Sequence, residues 1–268
     1  MSEGEAKSAA VPTRAVHDDN DSEEGEICAI CLEALPRFGL GAVRFTCCGK
    51  SIHKECELQF NRSGCSMNCP MCRAPAPSSE QQHTWALRWA GKGKAWAMSF
   101  VASDFLVGRG VSVSEEKARL WYEKAAEQGN PNAQYNLALM HFDGEGGLPV
   151  SKEKARLLYE KAAEQAHPNS QYNLGNMHYF GEGGLPVSKE KALLWLERAA
   201  EQGDEDATTF IDTKLKNKCF SCGNTGTMKC CSRCKCAYYC SQECQAAAWK
   251  SGHKATCKQI RRMRKTDK

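Results

Sequence analysis

Hydrophobic and polar positions in the middle of the chain repeat at a fixed interval. Residues 113–132 (VSEEKARLWYEKAAEQGNPN), 150–169 (VSKEKARLLYEKAAEQAHPN) and 187–206 (VSKEKALLWLERAAEQGDED) are three copies of one pattern, offset by 37 residues. In each copy, alanine, leucine and aromatic residues share one helical face. A period of this length is typical of a stacked array of helix pairs.

Each repeat is predicted to contain two helices separated by a turn. Residues 133–142 (AQYNLALMHF) favour a helix that is buried on most sides, and the following GEGGLPV breaks that helix. The second helix is expected to have Ser151 as its N-cap and Glu153 in its first turn, and to end near Gln165. Neither helix can bury its apolar face alone, so the pairs are expected to stack.

The array is predicted to span residues 95–216. Its first copy, 95–130, keeps the helix-then-glycine pattern but few of the residues, and residues 206–216 form a closing half-unit. The stretch PAPSSEQQ indicates a linker, which we place at residues 75–94. Three tryptophans near this boundary are expected to cap the first repeat: Trp85, Trp89 and Trp96.

The repeats resemble Sel-like repeats, short relatives of the tetratricopeptide repeat, over roughly residues 95–216. The resemblance implies a mainly α fold with a central α-solenoid whose concave surface binds partner proteins; a spacer without a partner is the alternative. His141 and His178 recur 37 residues apart without cysteine or carboxylate partners. We interpret them as packing residues rather than metal ligands.

The 17 cysteines lie in two groups that flank the array, with C-x-x-C spacing and nearby histidines. The N-terminus has no apolar signal core and the chain has no apolar run of 18 residues, so no membrane partner is expected. In a chain from a reducing compartment, cytoplasmic or nuclear, clustered cysteines are expected to bind zinc rather than form disulfides.

The net charge of +4 is unevenly distributed. Residues 1–26 are acidic and are predicted to be disordered, whereas residues 258–268 form a basic tail. The basic tail could direct nuclear import or bind nucleic acid, but we favour a solvated end. No predicted helix carries a basic face suited to the major groove, so nucleic acid is not an expected partner.

The first cysteine group, residues 27–74, contains four pairs of potential zinc ligands, enough for two tetrahedral sites. Their order resembles a RING finger, in which alternate pairs share a zinc ion. Lys50 stands where most RING fingers have histidine, and adjacent ligands at Cys47 and Cys48 require a strained turn; Cys65 is left over. The resemblance implies one site of Cys28, Cys31, His53 and Cys56, and a second of Cys47, Cys48, Cys69 and Cys72.

RING fingers resembling this one act as ubiquitin ligases that position a ubiquitin-conjugating enzyme without forming a covalent bond to ubiquitin. The resemblance implies that three residues contact the conjugating enzyme: Ile30, Pro70 and Arg73. Phe60 stands where many active RING fingers carry an aromatic residue. The alternative is a structural zinc module without ligase activity.

The second group, residues 217–257, contains CSRCKCAYYCSQECQAAAWKSGHKATC, which resembles a MYND finger. Cys231 is preferred to Cys230 because only Cys231 has C-x-x-C spacing to Cys234, and Cys236 is spare. His253 lies four residues before the last cysteine, on one face of a presumed helix. The resemblance implies one site of Cys219, Cys222, Cys240 and Cys244, and another of Cys231, Cys234, His253 and Cys257.

MYND fingers resembling this one bind proline-containing peptides, which makes Gln245 and Trp249 candidate contacts. Trp249 could equally be a core residue that covers a zinc site. Four zinc ions are expected in total, and zinc binding should drive the folding of both fingers.

The predicted fold is thus a mainly α chain, with an α-solenoid flanked by two small cross-braced zinc fingers. The predicted function is a ubiquitin ligase whose repeats and MYND finger recruit protein targets. The alternative is a non-catalytic interaction adaptor with two structural zinc modules.

Overall fold

The computed structural model describes residues 42–45, 47–53 and 77–266, together with single positions 56, 58 and 69. The predicted acidic tail lies outside the described residues. In the described part, the N-terminal region contains an antiparallel hairpin of β1 (Ala42–Arg44) and β2 (Ser51–His53), with Val43 opposite Ile52.

A solenoid of helix pairs follows, which confirms the predicted mainly helical fold. Consecutive helices pack against each other, most extensively α2 on α3, α4 on α5 and α6 on α7. The helices are α1 (Ser79–Gly91), α2 (Ala95–Val107), α3 (Glu115–Glu127), α4 (Pro131–Asp143), α5 (Lys152–Glu164), α6 (Pro168–Phe180) and α7 (Lys189–Glu201).

The repeated sequence sets the helix boundaries. The Ser151 side chain accepts a hydrogen bond from the Lys154 backbone N–H, so the predicted N-cap of α5 is confirmed. Ser114 and Ser188 cap α3 and α7 in the same way. The first helix of each pair ends at a glycine with left-handed backbone: Gly108, Gly144 and Gly181.

The turn between paired helices requires glycine. Gly146 has φ +61°, and an added Cβ would lie 2.5 Å from Met140 Cε. The carbonyl oxygen of Gly146 accepts a hydrogen bond from Arg119 Nε at 2.9 Å. The next repeat has the same arrangement, with Arg156 Nε donating to the Gly183 carbonyl at 2.8 Å.

Small and aromatic side chains fill the space between the helices. Ala118, Ala155 and Ala192 are fully buried, and buried tyrosines pack beside the first two of them. His141 and His178 are also buried, and the structure places them among the repeat helices, as predicted.

The structure differs from the expected linker at residues 75–94, because most of this segment is helix α1. Ser78 and Gln81 form a capping box at its start. Further along, Trp89 packs against Trp96 of α2 with 6.2 Å between ring centroids. The predicted cap of the first repeat is therefore a whole helix.

The chain after the repeats folds onto α7. Helix α8 (Glu205–Phe210) continues into a π-helical turn, Ile211–Leu215, at the predicted closing half-unit. The finger contains the strands β3 (Lys229–Cys230) and β4 (Tyr238–Tyr239), helix α9 (Gln242–Ala248), a π-helical turn (Trp249–His253) and helix α10 (Lys254–Thr266).

The basic tail differs from the solvated end that we favoured. Up to Thr266 it belongs to α10, whose residue Ile260 is fully buried. Met263 is partly buried and packs against the cluster that contains Trp195 of α7. The apolar side of this helix therefore belongs to the core, and its exposed lysines and arginines lie outside.

Candidate metal centres and peptide groove

The first cluster of the C-terminal finger consists of four cysteines whose sulfur atoms lie within 4.8 Å of one another: Cys219, Cys222, Cys240 and Cys244. Cys240 Sγ lies 3.6 Å from both Cys222 Sγ and Cys244 Sγ. A tetrahedral zinc ion with Zn–S bonds of about 2.3 Å would separate sulfurs by about 3.8 Å. The distances and the soft donor set therefore fit zinc.

The second cluster is completely buried and contains three cysteines and one histidine. Its ligand atoms also lie within 4.8 Å of one another, and His253 Nε2 lies 3.7 Å from Cys234 Sγ. These four donors fit a closed, structural zinc site without an open coordination position. Cys231, rather than exposed Cys230, joins Cys234, His253 and Cys257 in this cluster.

Hydrogen bonds from backbone N–H groups lower the pKa of one thiol in each cluster. Burial raises the pKa of Cys219, but backbone N–H groups, first that of Cys222, outweigh it and lower the pKa to about 6. At Cys231, burial is likewise outweighed, first by the Cys234 backbone, and the pKa falls to about 7. Metal binding requires thiolates, so these two shifts favour it, whereas burial raises the pKa of Cys234 and of Cys257 in the second cluster.

A third group lies in the N-terminal region and contains Cys47, Cys48 and Cys69. Cys48 Sγ lies 3.8 Å from Cys69 Sγ, again a distance that fits zinc. The adjacent cysteines sit in a tight turn between β1 and β2, where the Gly49 N–H donates to the Phe45 carbonyl at 2.7 Å. A turn with Gly49 at φ +70° brings both thiols toward one point.

Much of the predicted RING-type site lies outside the described residues. The side chain of His53 lies outside the described residues, although its backbone belongs to β2. Cys56 is described as partly buried and is not in the group above. Six further predicted residues also lie outside the described residues: Cys28, Cys31, Cys72, Ile30, Pro70 and Arg73.

The predicted peptide contacts Gln245 and Trp249 line one groove of about 390 Å³ on the C-terminal finger. The Arg233 guanidinium lies over the Trp249 ring at 5.2 Å from its centroid, and the centroid of the His253 ring lies 5.8 Å from that of Trp249. Trp249 is only partly buried. It therefore covers the metal cluster and also presents a surface to the groove, so the two interpretations are compatible.

Sequence reasoning missed the residues of α7 that hold the finger. Leu193 is fully buried in the core shared with the finger, whereas the two preceding repeats have Arg119 and Arg156 at this position. Leu194 is 2% exposed, but its counterpart Leu157 is 49% exposed. The replacement of arginine by leucine in the third copy was the available signal that this face is covered.

Comparison with known families identifies both regions. The Sel1 repeat model matches residues 97–130, 131–167 and 168–204, and the MYND finger model matches residues 219–257. The chain therefore contains Sel1 repeats and a C-terminal MYND finger, as the resemblances implied. These matches lie outside residues 27–74, where a RING finger stays a prediction.

Individual relatives match parts of the chain. A 44-residue stretch, 16% of the chain, is 54% identical to ubiquitin carboxyl-terminal hydrolase 19 of Arabidopsis thaliana, of which it covers 6%. A Sel1 repeat protein from Oxalobacter formigenes is 29% identical over 59% of each chain, with a TM-score of 0.47. Helicobacter pylori cysteine rich protein B is 22% identical over 50% of this chain and 97% of its own, with a TM-score of 0.41.

Within the described part of the chain, no helix has the length and apolar character needed to cross a membrane.

Proposed function

We propose that this chain, built of Sel1 repeats and a MYND finger, is a zinc-dependent interaction adaptor whose finger binds proline-containing peptides of partner proteins. The observation that carries the proposal is the groove lined by Gln245 and Trp249 beside a Cys₃His cluster. A half-buried indole next to a polar amide offers an apolar surface for a proline ring and a hydrogen-bonding group for the peptide backbone. The repeats provide a second surface for the same partners.

Peptide binding is tested with the full chain loaded with zinc and an array of proline-containing peptides. Trp249→Ala should weaken the binding of a selected peptide by about 30-fold, because interface tryptophans often contribute about 2 kcal/mol or more. Gln245→Ala should weaken it less, without loss of zinc. Gln259→Ala serves as a control, since Gln259 is exposed on the same finger and does not line this groove. Equal binding by wild type and Trp249→Ala, with zinc retained, would rule out this groove.

The finer proposal is that residues 27–74 form a RING finger that makes the adaptor a ubiquitin ligase. Support comes from the order of the cysteine pairs in the sequence and from the proximity of Cys47, Cys48 and Cys69. In this proposal Cys72 is the fourth ligand of the site that contains Cys47, Cys48 and Cys69. A further zinc site consists of Cys28, Cys31, His53 and Cys56. Such a finger positions the conjugating enzyme and its ubiquitin thioester, and performs no covalent chemistry itself.

Ligase activity is tested by autoubiquitination with a panel of conjugating enzymes. Wild type should build chains, and Ile30→Ala and Arg73→Ala should reduce them strongly while zinc content stays constant. Trp249→Ala is the matched control, because it should alter target recruitment but not autoubiquitination. Absence of chains with every enzyme in the panel, or full activity of both N-terminal variants, would leave the adaptor function alone.

A further inference from the structure

The MYND finger and the last Sel1 repeat share one hydrophobic core, so the finger packs against the repeat and is not an independent domain joined to it by a flexible linker. Buried residues of α7, such as Leu193 and Leu196, belong to the same cluster as Cys231, Cys234 and Cys257. Polar contacts flank this core: the Cys236 thiol lies 3.7 Å from Glu197 Oε2. The cluster of predicted zinc ligands that contains Cys231, Cys234 and Cys257 therefore packs against α7.

One repeat residue contacts a predicted zinc ligand. Glu190, in the first turn of α7, places Oε1 3.5 Å from His253 Nδ1, and both side chains are largely buried, with 18% and 2% exposed. The other ring nitrogen, Nε2, faces Cys234 in the metal cluster. At 3.5 Å the Nδ1 contact is longer than a formed hydrogen bond, and His253 Nδ1 has no hydrogen-bond partner in the described structure.

The chemistry of a histidine ligand explains why a carboxylate belongs there. An imidazole that binds metal through Nε2 carries its proton on Nδ1, and this N–H needs an acceptor when it is buried. In zinc proteins a carboxylate commonly accepts it, which fixes the tautomer and the ring orientation. A shift of a few tenths of an ångström would bring Glu190 Oε1 within hydrogen-bond distance of His253 Nδ1.

The glutamates that correspond to Glu190 in the other repeats are in a different environment. Glu116 and Glu153 occupy the same repeat position, and both are exposed. Glu116 Oε2 accepts a hydrogen bond from the cap Ser114 Oγ at 3.3 Å, and Glu190 Oε2 does the same with Ser188. Glu190 thus keeps the capping contact of a repeat with one oxygen and directs the other to His253.

We propose that Glu190 is a positioning residue for the zinc site formed by Cys231, Cys234, His253 and Cys257, and that the last Sel1 repeat and this site are consequently coupled. The inference rests on the proposed zinc binding of the MYND finger. Zinc bound to the folded site stabilises the repeat that supplies Glu190, and an intact repeat raises the affinity of the site for zinc. Coupling of this kind is reciprocal.

The test uses the full chain with Cys28→Ala and Cys31→Ala, which remove the N-terminal Cys₃His site proposed above. Zinc affinities are measured by chelator competition, and Co²⁺ is the spectroscopic probe that distinguishes the remaining Cys₃His site from a Cys₄ site. Glu190→Gln should weaken one bound zinc ion by about 10- to 100-fold, the usual effect of removing such a partner. It should also alter the Cys₃His cobalt bands and leave the Cys₄ bands unchanged. Glu116→Gln and Glu153→Gln, the matched controls, should leave every affinity unchanged.

A second variant separates positioning from helix capping. Ser188→Ala removes the capping partner of α7 but leaves Glu190 Oε1 beside His253, so it should lower the melting temperature of the repeats without the loss of zinc affinity. The proposal is overturned if Glu190→Gln retains wild-type zinc affinity, or if Ser188→Ala weakens zinc as much as Glu190→Gln does. If wild type itself binds no zinc at the Cys₃His site, the proposed zinc-dependent function fails as well, and that outcome is distinguishable from the other two.

Discussion

The indole of Trp89 lies directly over Gly49, so that a Cβ at position 49 would sit 2.8 Å from Trp89 Cζ2. Gly49 follows the adjacent cysteines of the N-terminal cluster, and Trp89 belongs to α1, which packs on the first repeat. Among the described residues, Gly49 and Trp89 therefore bring the turn of the N-terminal cluster into contact with the array.

This contact predicts that Gly49→Ala destabilises the N-terminal cluster. The substitution adds a side chain at φ +70° and forces Trp89 to move, at a cost of roughly 2–4 kcal/mol for strain and overpacking together. Gly93→Ala is the matched control, because Gly93 also has positive φ (+83°) but no neighbour within 4 Å, so only the strain of about 1 kcal/mol applies.

The measurement is chemical denaturation of each variant together with its zinc content. Gly49→Ala should lose zinc from the N-terminal cluster at lower denaturant than wild type does, whereas Gly93→Ala should retain it. Indistinguishable behaviour of the two variants would mean that the contact between Gly49 and Trp89 contributes nothing.

The leucine pair at one repeat position predicts how much the finger stabilises the last repeat. Leu194→Ala should cost about 2–5 kcal/mol of unfolding free energy, since Leu194 is 2% exposed and its removal leaves a cavity. Leu157→Ala should cost less than about 1 kcal/mol, because its side chain is 49% exposed at the same place in the preceding repeat. Equilibrium unfolding in urea, with zinc present, measures both costs. Equal costs would show that the burial of Leu194 against the finger does not stabilise the last repeat.

The repeats could be predicted closely because their signals are local. A serine that caps a helix and a glycine that ends one act within a few residues, so Ser151, Glu153 and Gln165 fall where the pattern places them. The boundaries of α1 were harder to predict, because PAPSSEQQ contains turn residues as well as Ser78 and Gln81, the capping box with which α1 begins.

Contacts between regions could not be predicted in the same way. The C-x-x-C spacings indicated ligand pairs that local turns set, and the resemblance to a MYND finger implied how those pairs combine into the two C-terminal clusters that the structure brings together. Glu190 has the same capping serine as Glu116 and follows it at the same spacing, so its contact with His253 cannot be recognised from the cap. The replacement of arginine by Leu193 in the third copy indicates that this face is covered, but it does not indicate which residue Glu190 will contact.

The histidine that caps α6 predicts a pH dependence of repeat stability. His167 Nδ1 accepts a hydrogen bond from the Ser170 N–H at 3.2 Å, and Nε2 faces Asn132 Oδ1 at 3.2 Å, an arrangement that requires the neutral ring. Burial lowers the pKa of His167 to about 4, from 6.5. Between these values the unfolded chain binds more protons than the folded chain, so stability falls as the pH drops from about 7 toward 4.

At pH 5 the loss due to His167 should be roughly 2 kcal/mol relative to pH 7.5. His167→Asn should remove that part of the dependence, because asparagine keeps the cap, as Asn130 does in the preceding repeat, and does not titrate. Urea unfolding of wild type and variant at both pH values gives the difference, in which any effect of zinc loss common to both chains cancels. A wild type and a variant with the same pH dependence would show that His167 is not the responsible group.

Zinc removal predicts a graded loss of structure along the chain rather than a global one. The MYND finger has few large apolar residues of its own, so a chelator should unfold β3, β4 and α9. Helix α7 should then lose part of its protection, because Leu193 and Leu194 are buried with the finger, whereas α4 and α5 pack within the array and should be unaffected. Amide hydrogen exchange with and without chelator measures each helix separately. Uniform loss of protection in all helices would contradict the prediction, because the whole array would then depend on zinc. Full protection of α7 after the finger has unfolded would also contradict it, because the shared core would then not transmit to α7 the stabilisation that zinc gives the finger.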